Sequence, residues 1–78
     1  MKVTFGKIIE NLKQIGYVEK RISNSHVILF NTEHNSTIVL PAFKKNKIAE
    51  IYLIRTIQKN VVEKGIMTKE DFDKLIDT

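Results

Sequence analysis

One histidine of the chain stands where it could transfer protons. His26 follows the polar turn of residues 23–25 and opens the apolar run of residues 27–30. Imidazole is the side chain whose ordinary pKa suits general acid–base catalysis near neutral pH. Its position at the edge of a strand, beside a turn, gives a substrate easy access. A lone histidine at a strand end also suits a structural or surface role, so this position alone does not show that His26 is catalytic.

Other residues that could do chemistry give weaker signals. His34 lies in a turn-prone stretch and is expected to be solvated, and its separation from His26 is poor spacing for a zinc site. The chain has no cysteine, no Gly-rich phosphate loop, no HExxH and no GxSxG. We therefore expect neither a metal nor a cofactor. The carboxylates near the C-terminus suit helix capping and solvated helix faces: Glu63, Glu70, Asp71 and Asp73.

Length and charge narrow the class of protein. The 78 residues predict a single domain over 1–78, which buries only roughly 60% of the surface of its unfolded chain. Partners are therefore an expected source of stability. The formal net charge of +4 favours anionic partners, with RNA first among them, although surplus lysines can also serve solubility.

No membrane segment is expected. No apolar run approaches the roughly 20 residues that cross a bilayer. The start of the chain, MKVTFGKIIENL, lacks the apolar region and small-residue cleavage site of a signal peptide. These features predict a cytoplasmic protein.

The elements that position His26 follow from periodicity. A first helix is predicted over about 5–15, with Thr4 as its N-cap and Gly16 at its end. Three strands in succession, joined by short turns, predict an antiparallel meander. The strands are expected in YVEKRI, HVILF and STIVLP.

Alternation assigns faces to the strands only in part. In the first strand Val18 and Ile22 lie on one side, and Glu19 and Arg21 lie on the other, which predicts one solvated face. In the second strand both sides are apolar. Periodicity therefore does not say whether the His26 side faces the helices.

The second half of the chain predicts a long and a short helix. The long helix should run from Ile48 to Gly65, and its apolar arc is wider than one packed face needs. The extra apolar residues are either simply exposed in part, or they form a surface for a partner protein or for self-association. The short helix, about 69–76, has Thr68 as its predicted N-cap.

The element order predicts an α+β fold, α-β-β-β-α(-α), with the helices packed on one face of a three-stranded antiparallel sheet. Double-stranded-RNA-binding domains have this arrangement, but element order alone does not establish function.

The chain resembles the HicA (YcfA-like) toxins, small mRNA interferases of bacterial type II toxin–antitoxin systems. The resemblance covers nearly the whole chain, but its one specific motif, Gly-Ser-His at the start of a strand, is three residues long. The matching segments are IIENLKQIGY, VEKRI, NSHVILF, TIVLP, IRTI and MTKEDF.

The resemblance implies a site and a mechanism. His26 matches the catalytic histidine, which would act as general base or acid in metal-independent RNA cleavage, and Ser25 matches the motif serine. Basic residues would hold phosphates. A cognate HicB-like antitoxin would cover the basic sheet face and His26. The basic residues assigned to RNA binding beside Ser25 are Arg21, Lys44, Lys45 and Lys47.

Two further hypotheses stay open, the first of them because the chain departs from the family pattern. Asn24 replaces the motif glycine, Val27 replaces a second histidine, and Phe43 stands near the position of the usual loop histidine. These favour a non-catalytic RNA-binding or protein-interaction module on the same scaffold, such as a decayed toxin. A third hypothesis is a small adaptor that forms a homodimer through the long helix.

Overall fold

The computed structural model describes residues 2–23, 26–41 and 46–77, and for residues 21–23 it describes the backbone alone. The fold is α+β, with a three-stranded antiparallel sheet of order β1-β2-β3 and three helices. The elements are α1 (Phe5–Gln14), β1 (Val18–Ser23), β2 (His26–Asn31), β3 (Ser36–Pro41), α2 (Ile51–Glu63) and α3 (Lys69–Asp77).

Helix α1 forms as its sequence predicts. The Thr4 Oγ1 accepts a hydrogen bond from the Lys7 backbone N–H at 3.1 Å, which caps the first turn. Gly16 ends the helix region at a φ of +105°, and a Cβ there would lie 3.0 Å from the Nδ2 of Asn31. The backbone conformation therefore favours glycine, and a larger residue would also crowd the Asn31 side chain. The predicted apolar stripe is buried at Phe5, Ile8, Ile9 and Leu12.

The sheet packs one face against the helices. Leu29 at the centre of β2 is fully buried, and Ile38 and Leu40 of β3 join it in the same core as the helix residues. Val27 is buried on the same side of β2. The alternate residues of β2, beginning with His26, are more exposed. The structure thus decides what alternation left open, and His26 is on the side away from the helices.

Strand β1 exposes a different side from the one that its sequence suggests. Val18 is 55% exposed, because it pairs with Phe30 on the side away from the helices. Glu19 lies on the helix side, where its carboxylate forms an ion pair of 3.0 Å with Lys13 of α1. The expectation that the charged side of β1 is the solvated one is therefore wrong at these positions. The buried anchor of this segment is Tyr17.

Helix α2 starts later than its sequence predicts. Residues 47–49 pair with residues 3–5 instead of joining the helix. The Ala49 N–H donates to the Val3 carbonyl at 2.7 Å, and the Phe5 N–H donates to the Lys47 carbonyl at 2.9 Å. Because these hydrogen bonds occupy the backbone, α2 begins at Ile51. Its buried line is Ile54, Ile57 and Val61, and its exposed apolar residues are Ile51, Tyr52 and Val62.

Helix α3 closes the core. The Asp71 backbone N–H donates to the Thr68 Oγ1 at 3.1 Å, as the capping pattern predicts. Phe72 and Ile76 are buried against the rest of the core. Within the described residues, no helix is long and apolar enough to cross a membrane.

Candidate active site

The open face is the side of the sheet that turns away from the helices. Alternation along each strand and the pairing register define it. Phe30 lies between Val18 and Thr37, and Ile28 lies between Lys20 and Val39. The described residues of the open face are Val18, Lys20, His26, Ile28, Phe30, Thr37, Val39 and Pro41.

His26 occupies one end of the open face. It is the first residue of β2, it is exposed, and it pairs with Ser23 of β1 and Pro41 of β3. The register with β1 shifts between Arg21 and Ser23, so that β1 carries one extra residue opposite the start of β2. Such bulges twist a strand locally and re-aim side chains, and they are common beside active sites. The structure therefore places an accessible imidazole next to an irregular strand pair.

Lys20 is a site residue that sequence reasoning missed. It is exposed and pairs with Ile28, two residues along β2 from His26. Diagonal neighbours of this kind lie about 7–8 Å apart, which a lysine side chain can span. Lys20 lies on the same side of β1 as Val18, and the pairing register would have placed that side on the open face. Without the register, the sequence does not show that this side of β1 is open.

The structure describes only some of the other predicted RNA-binding residues. The backbone of Arg21 pairs with Val27, and the side chain of Arg21 lies outside the described part of the structure. Ser25, Lys44 and Lys45 lie outside the described residues altogether. Lys47 is described and exposed, and it lines a pocket with Pro41, the strand partner of His26.

The electrostatic character of the open face differs from the expected basic sheet face. Among its described residues, Lys20 carries the positive charge near His26, and the centre is apolar. Val18 and Val39 are 55% and 51% exposed, respectively. An apolar surface of this kind favours contact with a base face or with a protein partner over contact with phosphates alone.

The opposite end of β2 carries a buried hydrogen-bond network. The Asn31 Nδ2 donates to the Ile15 carbonyl at 3.1 Å, and the Asn31 Oδ1 accepts from the His34 backbone N–H at 3.1 Å. Asn31 is 1% exposed. Its amide therefore fixes the end of α1 to the turn between β2 and β3, which is a structural role.

Ser36, the β3 partner of Asn31, belongs to a second buried network, which reaches α2. The Ser36 Oγ donates to the Asn60 Oδ1 at 2.5 Å. The same Oγ is 2.6 Å from the Tyr17 hydroxyl, and a serine hydroxyl has only one hydrogen, so Tyr17 donates to Ser36. Burial raises the pKa of Tyr17, and the hydrogen bond to Ser36 lowers it by less. Burial thus favours the neutral form of this phenol.

His34 has different surroundings from His26. It is half-buried in the turn, and its Nε2 is 3.8 Å from Glu33. The strand rise of about 3.4 Å per residue separates the two ends of β2 by roughly 17 Å, too far for the two histidines to share a metal ion. Within residues 2–23, 26–41 and 46–77, no group of three side chains could hold a metal.

The geometry on the open face suits attack on an anionic ester. A phosphodiester that lies on the sheet could reach the His26 imidazole, which can give or take a proton, and the Lys20 ammonium, which can hold a phosphate oxygen. Comparisons of the chain with protein-family models, curated proteins and solved structures give no match.

Proposed function

We propose that this protein is a HicA-like toxin, an endoribonuclease that cleaves mRNA with one catalytic histidine and without a metal. The observation that carries the proposal is the position of His26. It is exposed on the open face, beside a β-bulge and diagonal to Lys20. The order of helices and strands adds support, because it is the order of the HicA and double-stranded-RNA-binding folds.

The chemistry proposed for this site is an internal transesterification. The 2′-hydroxyl of one nucleotide attacks its adjacent phosphorus, the P–O5′ bond breaks, and the products are a 2′,3′-cyclic phosphate and a 5′-hydroxyl. The 2′-hydroxyl loses a proton and the leaving 5′-oxygen gains one. His26 serves one of these two transfers, a role that contributes about 10²–10⁴-fold to a rate.

Cationic side chains complete the proposed site. Lys20 stabilises the negative charge that develops on the phosphate oxygens. Arg21 and the basic loop residues Lys44, Lys45 and Lys47 hold neighbouring phosphates, as the resemblance implies. Ser25 matches the motif serine that precedes this histidine, as the resemblance implies.

A cognate HicB-like antitoxin is the proposed protein partner. It would cover the open face, where Val18 and Val39 are exposed and Lys20 and His26 lie on the same side. Burial of exposed valines stabilises a complex, and the same contact would block access to the imidazole.

The apolar centre of the open face also favours a second candidate function. Val18 pairs with Phe30, and Ile28 pairs with Val39, so these four side chains form one apolar surface. A protein-interaction module without catalysis would use this surface alone. The two functions differ in whether His26 is required.

Induced expression in a bacterial host tests the proposal. Wild type, His26→Ala and the control His34→Ala would be compared at matched levels of folded protein, with growth and bulk mRNA integrity as readouts. Arrest and mRNA loss with wild type and His34→Ala, but not with His26→Ala, would support the ribonuclease. Normal growth and intact mRNA with all three would refute it and favour the interaction module.

A further inference from the structure

We propose that a pocket beside Pro41 binds one unstacked base of the RNA substrate and prefers guanine. This inference rests on the proposed ribonuclease function, since it assigns a specificity subsite to that site. The pocket has a volume of about 280 Å³ and opens among the end of β3, the segment before α2 and the first turn of α2. Its walls are mainly apolar, with a lysine and a glutamate at the rim.

The pocket lies one strand from the catalytic histidine. Pro41 lines the pocket and pairs directly with His26 across β2 and β3, and such partners have Cα atoms about 5 Å apart. β3 is an edge strand of the sheet, so the pocket lies at the sheet's edge. An RNA strand that crosses β3 would place one base in the pocket and the next phosphate near His26.

An exposed aromatic ring supplies a stacking surface. Tyr52, in the first turn of α2, lines the pocket and is 68% exposed, whereas Tyr17 is 3% exposed. Proteins that read single-stranded RNA stack splayed bases on exposed aromatic rings and apolar walls. Pro41 and Leu53 form apolar walls beside Tyr52. The pocket is therefore suited to a flat aromatic guest.

Glu50 supplies the preference for guanine. It is exposed, it precedes α2, and its side chain makes no capping hydrogen bond to the helix. An ionised carboxylate only accepts hydrogen bonds. Guanine presents two adjacent donors, N1–H and the N2 amino group, which match the two carboxylate oxygens. Adenine and cytosine present one amino group on this edge, and uracil presents one N–H.

Lys47 accounts for the charge balance at the rim. It lines the pocket together with Glu50, and its ammonium can donate to guanine O6 or to a flanking phosphate. An acidic side chain alone would repel the RNA backbone. The lysine on the same rim offsets this repulsion and leaves the carboxylate as a base-reading group.

Binding of uncleavable RNA tests the subsite separately from catalysis. Fluorescence anisotropy would measure the affinity of 2′-O-methyl oligouridine that contains one guanine, one inosine or no substitution. These oligonucleotides have no free 2′-hydroxyl to attack the phosphate. We expect guanine to bind about tenfold more tightly than uracil, with inosine between them because it lacks the N2 amino group.

Variants assign the preference to the pocket. Glu50→Gln should remove most of the guanine preference, and Tyr52→Ala should weaken all three oligonucleotides by about tenfold. The matched controls are Glu63→Gln at the far end of α2 and Ile51→Ala beside Tyr52, both at exposed positions, and both should bind as wild type does. Thermal unfolding would confirm that every variant is folded.

The outcomes separate the subsite from the proposed function. Equal affinity for the three oligonucleotides, or a guanine preference that survives Glu50→Gln, would overturn the subsite even if ordinary RNA is cleaved in a His26-dependent way. A Glu50-dependent guanine preference without any cleavage of ordinary RNA would support the subsite and overturn the ribonuclease.

Discussion

The two ends of β2 carry polar side chains in opposite surroundings. At the end of β2, Asn31 is buried beside its β3 partner Ser36, and the hydrogen bonds of these two side chains reach the end of α1, the turn that contains His34, and α2. At the start of β2, His26 is exposed beside a bulge, on the face that no described helix covers. The first end connects elements of the fold, and the second presents a titratable group to solvent.

The difference separates polar groups whose contacts the fold explains from one whose position the fold does not explain. A buried polar atom must be hydrogen-bonded, or it costs about 1–3 kcal/mol of stability, so the Asn31 contacts are explained by the fold alone. The exposed His26 has no such explanation. Substitutions at the Asn31 end should therefore change stability, and substitutions at the His26 end should change activity.

The largest expected loss of stability follows from Asn31→Ala. This change removes the donor to the Ile15 carbonyl and the acceptor of the His34 N–H, and both groups then lack their partner in the fold. We expect a fall of about 2–4 kcal/mol in the free energy of unfolding, measured by urea denaturation. The control is Asn46→Ala at an exposed position, which should change it by less than about 0.5 kcal/mol.

A loss of less than about 1 kcal/mol for Asn31→Ala would contradict this role. It would show that water or a shifted backbone replaces the amide, and that the end of β2 is not the fixed region that the structure indicates.

A smaller loss is expected for Tyr17→Phe. The phenol donates to Ser36, which still donates to Asn60 after the change, so one hydrogen bond is lost rather than a network. We expect the free energy of unfolding to fall by about 1 kcal/mol. Tyr52→Phe is the matched control, since that hydroxyl is on an exposed ring, and it should be neutral. Equal effects of the two changes would argue against a stabilising hydrogen bond between Tyr17 and Ser36.

The raised pKa of Tyr17 predicts a loss of stability in alkali. Burial raises the pKa in the folded state above the ordinary value of 10.0. The unfolded chain therefore releases this proton at a lower pH than the folded chain, and stability falls as pH rises above that value. Urea denaturation of wild type and Tyr17→Phe, below and above pH 10, would measure how the free energy of unfolding changes with pH. If the free energy of unfolding depends on pH equally in both proteins, Tyr17 is not the cause of the loss in alkali.

The smallest expected change in stability is that of His26→Ala. The side chain is exposed on the open face, so its removal should change the free energy of unfolding by less than about 0.5 kcal/mol. The same denaturation measurement as for Asn31→Ala gives the comparison. A loss of 2 kcal/mol or more would make His26 a structural residue, and the contrast between the two ends would disappear.

Local signals predicted much of the fold correctly. The N-caps at Thr4 and Thr68, the glycine at 16 and the three strands all depend on neighbours within a few residues. The later start of α2 was missed, because it depends on hydrogen bonds between residues 47–49 and the distant residues 3–5. Periodicity in a single helix does not contain this information.

The candidate site was predictable only in part for a similar reason. His26 stands out by residue type and by its turn, but its face on the sheet could not be read from a strand that is apolar on both sides. The assignment of Lys20 required the register of β1 against β2. The buried roles of Tyr17, Asn31 and Ser36 depend on contacts between elements far apart in the chain.

Cleavage of a defined RNA by the purified protein tests the central claim most directly. Wild type and His26→Ala would be incubated in chelator with a single-stranded RNA and with its fully 2′-deoxy counterpart, and the product ends would be identified by mass spectrometry. We predict cleavage of the RNA alone by wild type, with 2′,3′-cyclic phosphate ends, and a rate lower by about 10²–10⁴-fold for His26→Ala. Equal cleavage by both proteins, or no cleavage by folded wild type, would contradict a catalytic role for His26.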